Sequence, residues 1–335
     1  MIEVPKATWK VTLDGKDLTG KLQPLLLSLT LTEKRANEAD EIEIRIDARD
    51  GRVAMPKKGV KLQVSLGWLQ GAGLPKGLID KGTYIVDERT KSGPPDIICI
   101  RGRSADFTGA LKVRKARSFV GKTVNTILSA IASDNALKLN VDAGLGAKVI
   151  PALGHVAKSD TALLQLLGKR FDAVATIKAG TLIFSPIGKG ATASGKAIAS
   201  LTITRDQTGP FTFEEPDRGQ YAGVEARYHD KQTGRTESVV VGGSGEPKAK
   251  RLRKIYANET DARHAAEAED GRMNRGKATM NFPLPLGRPD IFPDRPIALT
   301  GWGSEIDGPK WLTSETTHIM DDKGGLSSRL QLERA

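Results

Sequence analysis

The sequence predicts an α+β chain, mainly β, in which two similar antiparallel β modules flank a small α/β insertion. Three observations carry this reading. Apolar and polar residues alternate through the first hundred positions, the period lengthens to that of a helix after Ser104, and alternation resumes from Ala199. The charge shifts at the same places: residues 1–105 carry 18 basic and 14 acidic side chains, residues 201–335 carry 20 and 21, and residues 106–200 carry 13 and 5 with no glutamate. The expected modules are therefore 1–105 (β), 106–198 (small, basic, α/β) and 199–335 (β, with an inserted helix near 259–275).

In the first module the alternating runs are Leu25, Leu27, Leu29 and Leu31, then Ile42, Ile44 and Ile46, then Val60, Leu62, Val64 and Leu66. Such runs give a strand one buried and one wet face. Asp14-Gly15 sits between two strand-like segments, where a tight hairpin needs positive φ. Two further strands are expected in GTYIVDE and DIICIRG. With no convincing helix between these strands, an antiparallel barrel or sandwich is the expected arrangement.

The second module opens with Val124, Ile127, Leu128 and Ile131, the stripe of an amphipathic helix, which Ser118 is expected to cap. A second helix is expected to start at Ser159 and to present Leu163, Leu166, Leu167 and Phe171. A hairpin about Ala179-Gly180 and a Gly/Ser/Ala-rich loop near Gly188–Gly195 complete the module. In the third module the expected strands are SLTITRD, YAGVEARYHD, TESVVVGG, KATMNFPL, PIALTGW, KWLTSETTHIM and LSSRLQLER. Among them lies one strong helix, capped by Asn258 or Thr260, ended at Gly276 and buried through Ala262, Ala265, Ala266 and Met273.

The totals set limits. The 335 residues suffice for two or three cored domains, and the net charge is +11. No apolar run approaches the ~18 residues of a membrane helix, and the N-terminus lacks the apolar core of a signal peptide. A single cysteine, Cys99, excludes an internal disulfide framework and fits a reducing compartment. Lying in Ile97-Ile98-Cys99-Ile100, it is expected to be a small buried core residue. The basic middle module could meet nucleic acid, an anionic surface or an acidic protein, or could present a solvated basic face.

Motifs for catalysis are missing. Val120-Gly121-Lys122-Thr123 resembles the end of a phosphate loop, but position 116 is alanine where that loop needs glycine. His155, His229, His264 and His318 include no ligand-spaced pair, and His264 is expected on a wet helix face. Glu214-Glu215 with Asp217 could be read as a glycosidase pair, but adjacent strand residues point to opposite faces. No catalytic, cofactor-binding or metal residues are assigned, and no cofactor is expected. The densest basic run, Lys248–Lys254, has only Tyr256 as an aromatic neighbour, so a base-stacking platform is not evident. Direct nucleic-acid binding is not expected. The tryptophans Trp9, Trp68, Trp302 and Trp311 are expected in the core or at interfaces.

Several strings carry a resemblance. They are Gly301-Trp302-Gly303-Ser304-Glu305-Ile306-Asp307-Gly308, Lys310-Trp311-Leu312, Thr317-His318 and Leu330-Gln331-Leu332-Glu333 at the C-terminus. Earlier come Lys158-Ser159-Asp160-Thr161-Ala162-Leu163-Leu164 after His155, and Tyr221-Ala222-Gly223-Val224-Glu225-Ala226. In order and spacing the chain resembles the late control D family of phage tail proteins, related to the hub part of type VI secretion spike proteins. The resemblance implies two similar β-barrel domains with a small α/β insertion, and family-motif roles that are structural for Ser159, Asp160, Gly223, Gly301, Asp307, Gly308, Trp311 and His318.

It also implies a non-enzymatic baseplate hub of a contractile phage tail or tail-like bacteriocin. Three copies would form a ring whose six β modules match a sixfold tail tube above to a threefold spike below. The implied partners are further copies of the chain, the spike protein, the tail tube or tube initiator, the tape-measure protein and other baseplate proteins. The implied location is the tail tip, after assembly in the bacterial cytoplasm. Because the chain stops at Ala335, a separate spike protein is expected. Two other readings stay open: a tail-borne cell-wall hydrolase using Glu214 or Glu215, and a DNA- or membrane-contacting protein using Lys112, Arg114, Lys115 and Arg117.

Overall fold

A computed structural model of the chain describes residues 3–35, 39–104, 109–178, 180–192, 195–216, 221–243, 249–323 and 325–335. The fold is mainly β and divides into two compact units. The first comprises Met1–Phe107, Ser200–Phe213 and Met280–Leu332; the second comprises Thr108–Ala199, Glu214–Thr279 and Glu333–Ala335.

The first unit is organised on a 13-stranded sheet drawn from both ends of the chain. The order from its middle outward is Leu26–Lys34, Glu41–Asp47, Ile97–Ser104, Gly77–Ser92, Lys61–Gln70 and Lys6–Leu13, all antiparallel. On the other side of Leu26–Lys34 lie Trp311–Asp321, then Leu326–Arg334 and Thr279–Leu284. The two runs meet where Leu26–Lys34 pairs antiparallel with Trp311–Asp321, from Ser28 opposite Asp321 to Lys34 opposite Glu315. Leu201–Thr204 joins through parallel pairing with Pro296–Thr300.

Alternation places the core. Leu29, Leu31, Ile42, Ile44, Ile46, Leu62, Val64, Leu66 and Ile98 are each at most 2% exposed and pack in one cluster. Strand Leu26–Lys34 departs from simple alternation at its start: Leu26 is buried while Leu25 and Leu27 are only partly so. A register shift between Leu26 and Ser28 inserts one residue, and an inserted residue reverses which parity faces inward. The hairpin at Asp14-Gly15 has φ of 45° and 82°, as the dipeptide predicts. Cys99, expected in the core, instead shares the outer face with Arg45 and Thr90 and is only partly buried, because Ile98 and Ile100 occupy the inward positions. Burial, and secondarily Glu43, raises its thiol pKa.

The second unit contains the α/β elements. Helices Val124–Asp134 and Asp160–Phe171 pack on a sheet of Lys138–Val141, Thr181–Pro186 and Ala173–Lys178, with Ile127, Leu128, Leu164, Leu167, Leu182 and Phe184 in the core. The expected cap at Ser118 is corrected: Arg114–Thr123 is a strand paired with Val149–Ser159, and the helix begins at Val124. Thr123 supplies the cap, its hydroxyl accepting the Thr126 N–H at 3.2 Å. β-branched and aromatic residues at 119, 120 and 123 favour extension. The expected turn at Ala179 lies at a residue outside those described.

Helix Glu259–Arg275 lies on the sheet Thr236–Gly242, Gly223–His229, Lys250–Tyr256. Ala262 and Ala266 pack against Val224, Ala226 and Val239, and small side chains on the helix let the surfaces approach closely. Asn258 is the cap, accepting the Asp261 N–H at 2.9 Å. Lys250–Tyr256 is a strand parallel to Gly223–His229, with Lys250 bonded to Glu269 and Arg251 to Glu225.

Thr123→Ala should lower the stability of the second unit by about 1 kcal/mol, the usual cost of a lost N-cap. Ser118→Ala should stay within about 0.5 kcal/mol of wild type. Urea titration followed by circular dichroism measures both, and the reverse order would restore Ser118 as the cap.

Candidate functional site

Seven of the eight motif residues, all but Gly223, fall into three separate polar constructions, all internal ties. The most enclosed is built on His318. The alternation that buries Met320 on Trp311–Asp321 also buries His318 and Thr316, and the alternation that buries Leu29 and Leu31 buries Glu33 on the next strand. Lys81, from Gly77–Ser92, enters the same space and donates to Glu33 Oε2 at 2.5 Å and to the Pro289 carbonyl at 2.8 Å. His318 Nδ1 lies 2.7 Å from Ser328 Oγ, and its Nε2 lies 3.4 Å from Glu33 Oε2. Thr316 Oγ1 donates to the same carboxylate oxygen at 3.4 Å.

His318 is 0% exposed, and burial holds its pKa below the ordinary imidazole value. Glu33 pulls the other way and Lys81 adds to the depression. Isolated charges this deep would be costly, so each needs its partners. The tie joins Leu26–Lys34, Gly77–Ser92, Trp311–Asp321, Leu326–Arg334 and the 289–291 segment. Sealed from solvent, it holds strands and offers no access to a substrate.

The second construction is the loop before Trp311. Asp307, in the turn Ser304–Asp307, accepts backbone N–H groups of Gly301 at 2.9 Å, Trp302 at 3.1 Å and Gly303 at 3.3 Å. Partial desolvation raises its pKa, but these three donors together bring it below the ordinary carboxylate value. Gly301 has φ of +98°, a conformation open to glycine. Gly308 ends the turn, where a Cβ would stand 2.9 Å from the Ser304 carbonyl oxygen. Trp311 is fully buried, donates to the Ile306 carbonyl at 2.8 Å and meets Phe213 edge-on at 6.3 Å. The family string is thus a folded loop closed by one carboxylate and one indole.

The third construction is centred on Asp160. Ser159 caps its helix by accepting the Ala162 N–H at 3.2 Å. Asp160, 1% exposed, accepts from Lys115 at 3.0 Å, Arg117 at 2.7 Å and Asn135 at 2.8 Å. Lys115 and Arg117 also reach Asp134. Two of the four cations considered for a DNA or membrane contact are therefore engaged within their own module, while Lys112 and Arg114 are exposed. Gly223 stands apart from all three constructions. A Cβ there would lie 2.3 Å from the Val241 carbonyl oxygen, so the position admits only glycine without a shift.

The remaining candidates are dispersed. Glu214 and Glu215 are exposed, with Glu215 3.8 Å from Arg334, and Asp217 lies outside the described residues. His264, expected to be wet, is buried against Phe171, ring centroids 5.2 Å apart, because its helix packs there against the Asp160–Phe171 helix. Burial lowers its pKa. Among the described residues no cluster of three His, Cys, Asp or Glu side chains suits a metal ion. Sequence reasoning missed Glu33, Lys81 and Ser328. Strand parity was the available signal for Glu33 and Ser328, since they share a face with Leu31 and Leu330.

No protein-family model matches the chain. It is 33% identical over 362 residues to the "Probable baseplate hub protein" of Escherichia phage 186, spanning 96% of this chain and 92% of that one. The corresponding protein of Escherichia phage P2 is 33% identical over 363 residues, spanning 97% and 92%. The chain belongs to the phage baseplate hub proteins. Solved structures share the fold at lower identity. The tail protein from Neisseria meningitidis MC58 superposes with a TM-score of 0.68 at 13% identity, covering 98% of this chain and 96% of that one. The E. coli c3393 protein, a type VI secretion component, gives 0.56 at 10% identity, covering 92% and 73%.

Replacing Asp160 with alanine should cost about 3 kcal/mol, since it leaves the paired cations without their buried partner; chemical denaturation measures it. The pH response follows from the two histidines. Both have folded pKa values below the unfolded imidazole value, so unfolded chains bind more protons as pH falls. Stability should therefore be full above the unfolded value, about 6.5, and decline as pH drops from there toward the folded values. Denaturation midpoints for wild type and His318→Gln at neutral and mildly acid pH should show the decline, and a shallower one in the variant. An identical decline in both would remove His318 from the account.

Proposed function

We propose that this protein is the structural hub of a contractile tail baseplate, a homotrimeric ring that joins the tail tube to the cell-puncturing spike. Membership of the hub family supports the baseplate role and a place in the tail. The carrying observation within the molecule is the sheet in which strands from 1–105 and from 199–335 are joined along Leu26–Lys34 and Trp311–Asp321. In this reading each run curls into its own β-barrel, residues 106–198 form the α/β insertion, and the motif residues Ser159, Asp160, Gly223, Gly301, Asp307, Gly308, Trp311 and His318 maintain the framework.

Two similar modules per chain and three chains per ring give six contact sites around the axis. That arrangement matches a sixfold tube on one side and a threefold spike on the other. The role is mechanical. An axial load passes through hydrogen-bonded strands and the buried ties, with no bond made or broken. The tape-measure protein and other baseplate proteins complete the set of partners, and assembly takes place in the bacterial cytoplasm.

Sedimentation at micromolar concentration, with and without the spike protein of the same tail, tests the stoichiometry. A trimer is expected in at least the mixture. A species that stays monomeric in both would contradict the ring.

A further inference from the structure

A closed threefold ring needs heterologous contacts, so every copy must carry two different surfaces that fit one another. The first unit has such a pair at opposite ends of one strand pairing. Lys6–Leu13 runs antiparallel to Lys61–Gln70, with Lys6 opposite Gln70 at one end and Leu13 opposite Leu62 at the other. Eight residues at about 3.3 Å each separate the ends by roughly 25 Å.

At the Gln70 end large apolar side chains protrude. Leu69 is 58% exposed and Leu78 46% exposed. Leu78 pairs with Gly67, two residues from Leu69, so both lie on the outer face, away from Leu66 and Trp68. Exposed Val4 is tied to the same end by the bond from Gln70 Nε2 to its carbonyl. Asp80, exposed, follows Leu78 on that face, its carboxylate accepting the Gly82 N–H.

At the Leu13 end there is a recess. A cavity of about 720 Å³ opens between the Thr19–Leu22 turn and the 50–56 loop, lined by Leu13, Leu22, Leu25, Val53, Met55 and Leu62. Lys21, also on its lining, makes no ion pair among the described residues. One end thus carries protruding leucines beside an acid; the other is an apolar recess lined also by Lys21, Arg52 and Asp50, of which Arg52 and Asp50 pair with each other at 3.7 Å and leave Lys21 as the cation available to the acid. Leu69 and Leu78 on one side, and the part-exposed Leu13, Leu22, Leu25, Val53 and Met55 on the other, leave apolar area wet in the single chain, and burying it together is favourable.

We propose that the Leu69–Leu78 protrusion of one copy seats in the Leu13–Met55 cavity of the next, with Asp80 facing Lys21, and that this junction repeats around the ring. The inference rests on the ring reading and adds the surface by which copies join.

The test uses full-length chains in two classes. Leu69→Asp with Leu78→Asp charges the protrusion. Gly20→Trp or Ala54→Trp obstructs the cavity; both positions line it, and a Cβ at Gly20 meets no atom within 4 Å. Circular dichroism and thermal melting verify that each variant is folded. Analytical ultracentrifugation, run with the spike protein if wild type needs it, should show a trimer for wild type and monomers for each class alone. An equal mixture of the classes should form a dimer, since one sound cavity and one sound protrusion make a single junction. A folded variant of either class that stays trimeric beside trimeric wild type overturns the junction and leaves the ring standing. Wild type that remains monomeric even with the spike overturns the ring reading itself.

Discussion

Everything in the first unit depends on one pairing, the antiparallel ladder between Leu26–Lys34 and Trp311–Asp321. These strands lie nearly three hundred residues apart in sequence, so closing them carries a large entropic cost in the unfolded chain. The return comes from the face they share. Leu29, Leu31 and Met320 are buried together, and the polar residues that alternate inward with them are matched instead of eliminated. Inside the sheet Glu33 accepts from Lys81 and Thr316, and His318 Nδ1 meets Ser328 Oγ. Such a cluster tolerates only the native register, because a slip of one residue would leave buried charges alone.

In the proposed role the hub holds its shape under load. Strand ladders do this well, since sliding two strands breaks many hydrogen bonds at once. The polar ties add registry to that resistance. The Asp307 loop and the Asp160 network work in the same way on a smaller scale: one carboxylate collects three successive backbone N–H groups of a single loop, the other collects side-chain donors from different segments. Glycines are placed where backbones must approach, most plainly at Gly223 beside Val241. In all three constructions the polar groups are taken up by contacts within the chain.

Much of this was legible in the sequence where the period was regular. Ile42, Ile44 and Ile46 announced a half-buried strand, Asp14-Gly15 its hairpin, and Ser159 a helix cap. Legibility failed where a local rule yielded to tertiary context. Arg114–Thr123 reads as a helix entry because Gly-Lys-Thr precedes an amphipathic stripe, yet pairing with Val149–Ser159 extends it. Cys99 lies in an apolar run but takes the outward parity. The bulge at Leu26–Ser28 inverts a parity that counting alone cannot see. Glu33 was visible in principle, as a charge at an inward position, but its partner Lys81 comes from a strand that only the fold brings near. The basic middle module shows the same limit: its charge excess was plain, and the engagement of Lys115 and Arg117 by Asp160 was not.

Native-state hydrogen exchange tests the central claim, that the two ends of the chain form one mechanical body. If they do, amides of Glu41–Asp47 and Ile97–Ser104 should open in the same cooperative transition as those of Trp311–Asp321 and Leu326–Arg334. Their exchange free energies would then converge as denaturant rises. Persistent protection of the first group after the second has fully exchanged would contradict it.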